Sequence, residues 1–309
     1  MKPTQFAAAG LALALSGCVG GSGDEGAPSD EIAEAGRRLG GLAEPGFTAD
    51  EFAAGMETVA ERANTLVLSD LVYFTEIAGL PASFRLSSNC TGDRCVQIEP
   101  FFDDTFEVSI EDIRTGDGVI DTLNPNPVGE LHGVRTAHVR AFDRLQSGDS
   151  ISLRGYGAWI EHGTFLVTVG AVEGGDFMGA TIVSSMSFGD SPNTIPDFAA
   201  SWNGIVAGVD TSETDTAGNF VQGKARIDLG TRLGETIVDV AFSGLHDLET
   251  GEGRDPLRWE DIVVTADGFT DGASIDGRFY GPDHEEAGGV FERGDLLGAF
   301  GATKEEQAQ

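Results

Sequence analysis

Val221-Gln222-Gly223-Lys224-Ala225-Arg226-Ile227-Asp228-Leu229 is the stretch that decides the fold. Its odd positions are apolar or glycine and its even positions are polar. A strict period of two places the first set on a buried face and the second in water, which is the signature of a half-buried β-strand. Thr236, Val238, Val240 and Phe242 repeat the pattern, as do Ile275, Gly277, Phe279 and Gly281, and then Leu296, Gly298, Phe300 and Ala302. Turn signals separate these runs: Gly251-Glu252-Gly253, Asp267-Gly268 and Asp271-Gly272. Glycine alternating with large residues on the inward face suits a small closed barrel whose strands bend. Residues 197–304 therefore read as an antiparallel barrel of about eight strands. Its polar outward face predicts a barrel standing in water rather than one crossing a bilayer.

Upstream, residues 65–196 read as a second β-rich unit with long connections. Phe84-Arg85-Leu86, Val96-Gln97-Ile98 and Phe106-Glu107-Val108-Ser109-Ile110 alternate, and Gly157-Ala158-Trp159-Ile160 and Thr164 to Val169 are stronger strands. Asp117-Gly118 and Asn124-Pro125-Asn126-Pro127 signal turns or loops, and Phe188 to Pro196 reads as a linker or long loop. Before this unit the period becomes helical. Ser29 and Asp30 cap a segment carrying Ile32, Ala35 and Leu39 that stops at Gly40-Gly41. Thr48 and Glu51 have capping-box spacing, and Phe52, Met56, Val59 and Ala63 form the apolar stripe that follows.

The first residues are a processing signal rather than structure. Lys2 supplies a positive start, and Phe6 to Leu15 form an apolar core of about ten residues, too short to span a membrane. Leu15-Ser16-Gly17-Cys18 resembles the lipobox of bacterial lipoproteins. It predicts removal of residues 1–17 and lipidation of Cys18, diacylglyceryl on the thiol and a palmitate-type acyl chain, giving an anchor in outer-membrane lipid. Residues 18–64 then comprise a Gly-, Ser- and Pro-rich acidic tether followed by the helical segment. With Cys18 lipidated, Cys90 and Cys95 remain as a pair. They bracket Thr91-Gly92-Asp93-Arg94, so a disulfide at the end of one hairpin is expected.

The 309 residues carry 51 acidic and 19 basic side chains, a formal net charge of -32. Such a surface repels phosphates, so a nucleic-acid partner is not expected. The charge reads first as a solvated, self-repelling surface, with a lure for a basic partner or a cation as the alternative. Gly218 to Lys224 matches G-x-x-x-x-G-K, but Ala225 stands where a phosphate loop needs Ser or Thr, and a strand follows in place of a helix. The five histidines are scattered. His284-Glu285-Glu286 reads as a solvated turn, and Asp267, Asp271 and Asp276, each before glycine, read as D-G turns rather than calcium ligands. No catalytic residue, metal ligand or cofactor site is expected from these patterns. An enzyme using His284 or His162 with a neighbouring carboxylate is the least supported reading.

The run from Ile275 to Phe291, IDGRFYGPDHEEAGGVF, and the closing Gly298-Ala299-Phe300-Gly301-Ala302 resemble the β-barrel of the transferrin-binding protein B family. Ala200-Ser201-Trp202-Asn203-Gly204 resembles that family's first barrel strand. The resemblance covers residues 197–304 and rests on glycines and phenylalanines expected in the barrel wall, so it implies a scaffold and leaves the ligand open. It implies a mainly β protein: a C-terminal eight-stranded antiparallel barrel, a β-rich handle-like domain before it, a short helical N-terminal segment, and a tail at 305–309. By this resemblance the protein is a lipid-anchored cell-surface protein of the outer membrane that binds a partner rather than catalysing. The implied partners are an unknown protein or an iron- or haem-bearing ligand, with an outer-membrane transporter alongside. A structural or envelope-maintenance lipoprotein without a specific ligand is the alternative.

Overall fold

The computed structural model describes residues 29–74, 83–98, 105–115, 124–144, 150–173, 180–212 and 218–305. The export signal, Cys18, the tether to residue 28, Asp117-Gly118 and residues 306–309 lie outside the described residues.

Helix α1 (Ser29–Gly40) stops where Gly41 turns to φ +66°, a conformation that favours glycine. Helix α2 (Ala49–Arg62) begins at the expected capping box. The Thr48 hydroxyl accepts the Glu51 N–H while the Glu51 carboxylate accepts the Thr48 N–H. Its stripe of Phe52, Met56 and Val59 is buried, with Ala63 at the margin.

The first sheet contains β1 (Thr65–Phe74), β2 (Ser83–Thr91), β3 (Arg94–Ile98), β4 (Thr105–Ser109), β5 (Asn126–Leu131), β6 (Val134–Arg144), β7 (Ser150–Trp159), β8 (Gly163–Glu173) and β9 (Ala180–Gly189). Their spatial order is β4-β3-β2-β1-β9-β8-β7-β6-β5. One face carries Leu66, Leu68, Leu86, Val108, Ile182 and Met186 against α2 and the short α3 (Ile110–Thr115). Three local expectations are corrected. Ile110 opens α3 rather than closing a strand, because Ser109 caps the helix by accepting the Asp112 N–H. Asn126-Pro127 belongs to edge strand β5, where a register shift after Pro127 accommodates the missing N–H. Phe188 lies in β9 and is buried in the core, not in a linker.

The second sheet contains β10 (Ala200–Asp210), β11 (Phe220–Arg232), β12 (Glu235–Asp247), β13 (Gly253–Arg254), β14 (Leu257–Thr265), β15 (Gly268–Thr270), β16 (Ile275–Tyr280), β17 (Glu286–Arg293) and β18 (Leu296–Lys304). Pairing runs β11-β10-β18-β17-β16-β15-β14-β12, and β11 also pairs with β12, which closes the ring. The two-residue β13 hangs from β12, and the remaining eight strands form the antiparallel barrel. Val221, Ala225, Ile227, Leu229, Val238, Val240, Phe242, Ile275, Phe279, Phe300 and Ala302 point inward, as the alternation predicts. The G-x-x-x-x-G-K match runs into β11, so it is a strand entry and not a phosphate loop.

Two further expectations, one of an outward-facing residue and one of a turn, fail. Gln222 is 1% exposed, because α1 lies over it and leaves no room for a Cβ at Gly36 or Gly40. Asp276 lies within β16 and pairs with Arg278, so Asp276-Gly277 is not a turn. Asp271 does make one: its Oδ1 accepts the N–H groups of Ala273, Ser274 and Ile275.

Candidate functional site

Aromatic side chains pack the interior of the barrel. Phe242 lies 4.9 Å from Phe291 and 5.2 Å from both Trp259 and Phe300, measured between ring centroids. Trp202 is 5.0 Å from Phe279, and Phe279 is 5.4 Å from Phe269. Aromatic rings spaced this way fill the barrel as a protein core is filled. A ligand of this barrel must therefore meet its outer surface or its loops.

Part of that outer surface is already covered. Outward-facing Ile205, Ala207 and Val209 of β10, Val290 of β17 and Leu297 and Ala299 of β18 pack against Ile160, Phe165, Val167 and Val183 of the first sheet. The barrel wall is thus dry on both faces along β10, β17 and β18.

At one end of the seam the barrel's polar residues come from the motif that resembles the barrel family. Tyr280 points out of the barrel and its hydroxyl bonds Ser187 Oγ at 2.9 Å. Its ring sits between Gly163 and Gly189, where an added Cβ would lie 2.6 Å and 2.7 Å from ring carbons. The Glu286 carboxylate accepts the backbone N–H groups of Glu161 and His162 at 2.8 and 3.0 Å. Burial pushes this carboxyl up to about 7, against the pull of the backbone donors. Gly281 N–H reaches Asp190 O at 2.8 Å, and Asp190 N–H returns to His162 O at 3.0 Å. His284, at φ +55°, accepts the Trp202 indole N–H on its carbonyl at 2.9 Å, and its Nε2 lies 3.1 Å from Thr194 Oγ1.

His284 and Glu286 are 8% and 3% exposed, which corrects the solvated-turn reading of His284-Glu285-Glu286. They form a clamp between barrel and sheet. The imidazole of His284 is engaged by Thr194 rather than by a carboxylate, and His162 meets Glu286 through its backbone. Among the described residues neither imidazole has a hydrogen bond or ion pair to a carboxylate.

At the other end of the seam, His138 stands edge-on to Tyr156 and Phe220, each 5.3 Å away. Burial holds it down at about 4, with Arg154 and Arg140 acting in the same direction, so the ring is neutral. The Tyr156 hydroxyl donates to Gln222 Oε1 at 2.9 Å. Arg154 spans from Gly218 O at 2.7 Å to the Glu249 carboxylate at 3.3 Å.

Cys90 and Cys95 face one another across the β2–β3 hairpin and are joined as a disulfide. The turn they close is tied to β1 by Leu66 N–H to Gly92 O at 2.8 Å and to α3 by Ile110 N–H to Asp93 O at 3.0 Å. An open polar depression of about 430 Å³ lies beside the seam, lined by His132, Asn203, Thr303, Lys304 and Glu305. Among the described residues no group of three His, Cys, Asp or Glu side chains is placed to hold a metal ion, and no helix is long and apolar enough to cross a membrane.

The alternation pattern located most of the inward residues but placed Gly281 among them, although it turns out of β16 into the seam, and it missed Tyr280, Glu286 and Gln222, which fall at positions a half-buried strand turns to water. A signal was present on β10, where Ile205-Val206-Ala207-Gly208-Val209 is continuously apolar, as in a strand buried on both faces.

No family model and no curated protein matches the chain. Three similar solved structures are all of transferrin-binding protein B. A double mutant from Haemophilus parasuis Hp5 is 12% identical at a TM-score of 0.31, over 73% of this chain and 48% of that one. A single mutant from Actinobacillus pleuropneumoniae H49 is 12% identical at 0.33, over 77% of this chain and 99% of that one. Intact Ap-TbpB, with N and C lobes, is 15% identical at 0.27, over 78% of this chain and 46% of that one. The chain thus spans about half the length of the first and third of these structures.

Proposed function

We propose that this chain is an exported lipoprotein, anchored through Cys18 in the outer membrane and exposed at the cell surface, that binds a partner rather than catalysing. The observation that carries the reading is the solid barrel locked to the first sheet. Its aromatic interior is packed and one wall is buried, so the unit is a rigid scaffold whose outward surfaces and loops are left for recognition. The lipobox-like Leu15-Ser16-Gly17-Cys18 and the acidic tether supply the anchor and the reach. The motif resemblance to the transferrin-binding protein B barrel points the same way and leaves the ligand open. An iron- or haem-bearing protein of a host, with an outer-membrane transporter as second partner, is the finer form of this proposal.

Transferrin, the ligand named for the similar solved structures, is the first probe to use. Intact cells with and without this gene are incubated with labelled iron-loaded transferrin, haemoglobin and whole serum proteins. Capture that depends on the gene and on Cys18 supports the reading. Equal labelling of both strains, together with a detergent-sensitivity phenotype in the deletion, moves the protein to the alternative of an envelope-maintenance lipoprotein.

A further inference from the structure

In the first sheet, beneath the α2 and α3 side, β1 carries an aspartate where its neighbours Leu66 and Leu68 are core residues. Asp70 is 1% exposed, and Gln97 of β3 is wholly buried beside it. Gln97 reaches across β2: its Nε2 donates to Asp70 Oδ2 and, at 3.0 Å, to Ser88 Oγ. Two oxygens then remain, Asp70 Oδ1 and Gln97 Oε1, both buried; the Ser184 hydroxyl, opposite Asp70 on β9, is the carboxyl's other side-chain donor, and Gln97 Oε1 has none. A buried carboxylate and a buried amide oxygen left unpaired are each costly. A proton on the Asp70 carboxyl supplies the donor that Gln97 Oε1 lacks. The neutral acid then donates to Gln97 Oε1 while Gln97 Nε2 donates to Asp70 Oδ2, an eight-membered acid–amide ring.

We propose that Asp70 folds as a neutral carboxylic acid in a doubly hydrogen-bonded pair with Gln97, and that this pair is a pH-sensitive latch holding the outer strands β2–β4 onto β1. Burial is the largest influence on Asp70 and pushes it up to about 6, with Ser184 and Gln97 pulling downward. The groups that meet it are Ser184 from β9, Gln97 from β3 and, in register on β2, Leu86 with Ser88 nearby. The charged side chains of the adjacent strands are engaged elsewhere, Arg85 with Glu292 and Arg94 with Glu107. Because the folded group is raised above its unfolded value near 3.8, its contribution is complete below that value and is lost as pH rises through 6. Above it, the latch holds an ionised carboxylate against an amide oxygen.

The test is Asp70→Asn, because asparagine reproduces the neutral acid's donor and acceptor. Thermal melts of the full chain in detergent, from pH 4.5 to 8.5, compare the variant with the wild type. The latch predicts the smallest lag of wild type behind Asp70→Asn at pH 4.5, growing by several degrees towards pH 8. A variant less stable than wild type at pH 8, or a difference that does not change with pH, overturns the proposal. The first of those outcomes would instead mark Asp70 as an anion holding a cation. Should the variant fail to fold, ¹³C NMR of the wild-type Asp70 carboxyl decides. A titration midpoint of about 6 or above supports the latch, and one in the ordinary range near 4 rejects it.

Discussion

The Glu286 carboxylate on barrel strand β17 accepts the backbone N–H of His162, 124 residues earlier in the chain, at 3.0 Å. Its other oxygen takes the neighbouring N–H of Glu161 at 2.8 Å. One side chain thus satisfies the turn between β7 and β8, and the barrel serves as the cap of that turn. Glu286→Gln turns one acceptor into a donor facing an N–H, so it should cost about 1–3 kcal/mol by urea denaturation. Burial raises this carboxyl from 4.5 to about 7, so its stabilising contribution is complete below 4.5 and fades as pH rises through 7. The gap between wild type and variant should therefore be widest at pH 5 and narrower at pH 8. A gap that widens with pH would contradict the raised carboxyl and show that the two N–H donors hold Glu286 ionised.

Tyr280 tests the same seam by shape. Gly163→Ala pushes a methyl into its ring, and Gly189→Ala pushes one into both the ring and the His162 carbonyl; each should cost about 1–3 kcal/mol, the range for overpacking. Tyr280→Phe removes only the bond to Ser187 and should cost about 1 kcal/mol. If all three melt like the wild type, the ring does not hold sheet to barrel.

The Cys90–Cys95 disulfide closes a short loop. Replacing both cysteines with serine should lower stability by about 2 kcal/mol on the chain-entropy model, with the barrel's near-ultraviolet circular dichroism unchanged. Loss of the barrel signal would mean that the hairpin supports far more than its own turn.

Leu233 sits at the tip of the β11–β12 hairpin with φ +53° and is 99% exposed, beside Gly234 at φ +88°. Two successive positive φ values favour Asn-Gly. Leu233→Asn should raise stability by roughly 0.5–1 kcal/mol, read as a shift of the urea midpoint. A decrease would show that the leucine makes a contact the isolated chain does not reveal.

Much of the architecture was legible because the barrel obeys one rule along its length. From Val221 to Leu229 and again from Leu296 to Ala302, the inward set is apolar or glycine, and ring closure follows from strand count and turns. Thr48 with Glu51 likewise fixed the start of α2 from four residues. What could not be read was the partner of the outward face. Tyr280, Glu286 and Gln222 are polar or amphipathic, so alternation assigns them to water. Only the placement of β8, β9 and α1 over the barrel buries them. Pairing of residues 124 positions apart leaves no trace in local periodicity. The Ile205–Val209 run was the one local hint, since continuous apolarity signals two covered faces. The family-like FYGP motif was read as barrel wall, and Phe279 is wall, but Tyr280 and Gly281 belong to the seam.

The central claim is a lipid-anchored protein displayed outside the cell, and protease treatment of intact cells tests it most directly. Cells expressing the wild type, and a Cys18→Ala strain as control, are treated with protease and then probed for the barrel. The account predicts that the wild-type signal disappears without lysis and that the Cys18→Ala protein is absent from the surface. A wild-type signal that survives until the outer membrane is broken would place the protein in the periplasm and contradict surface capture.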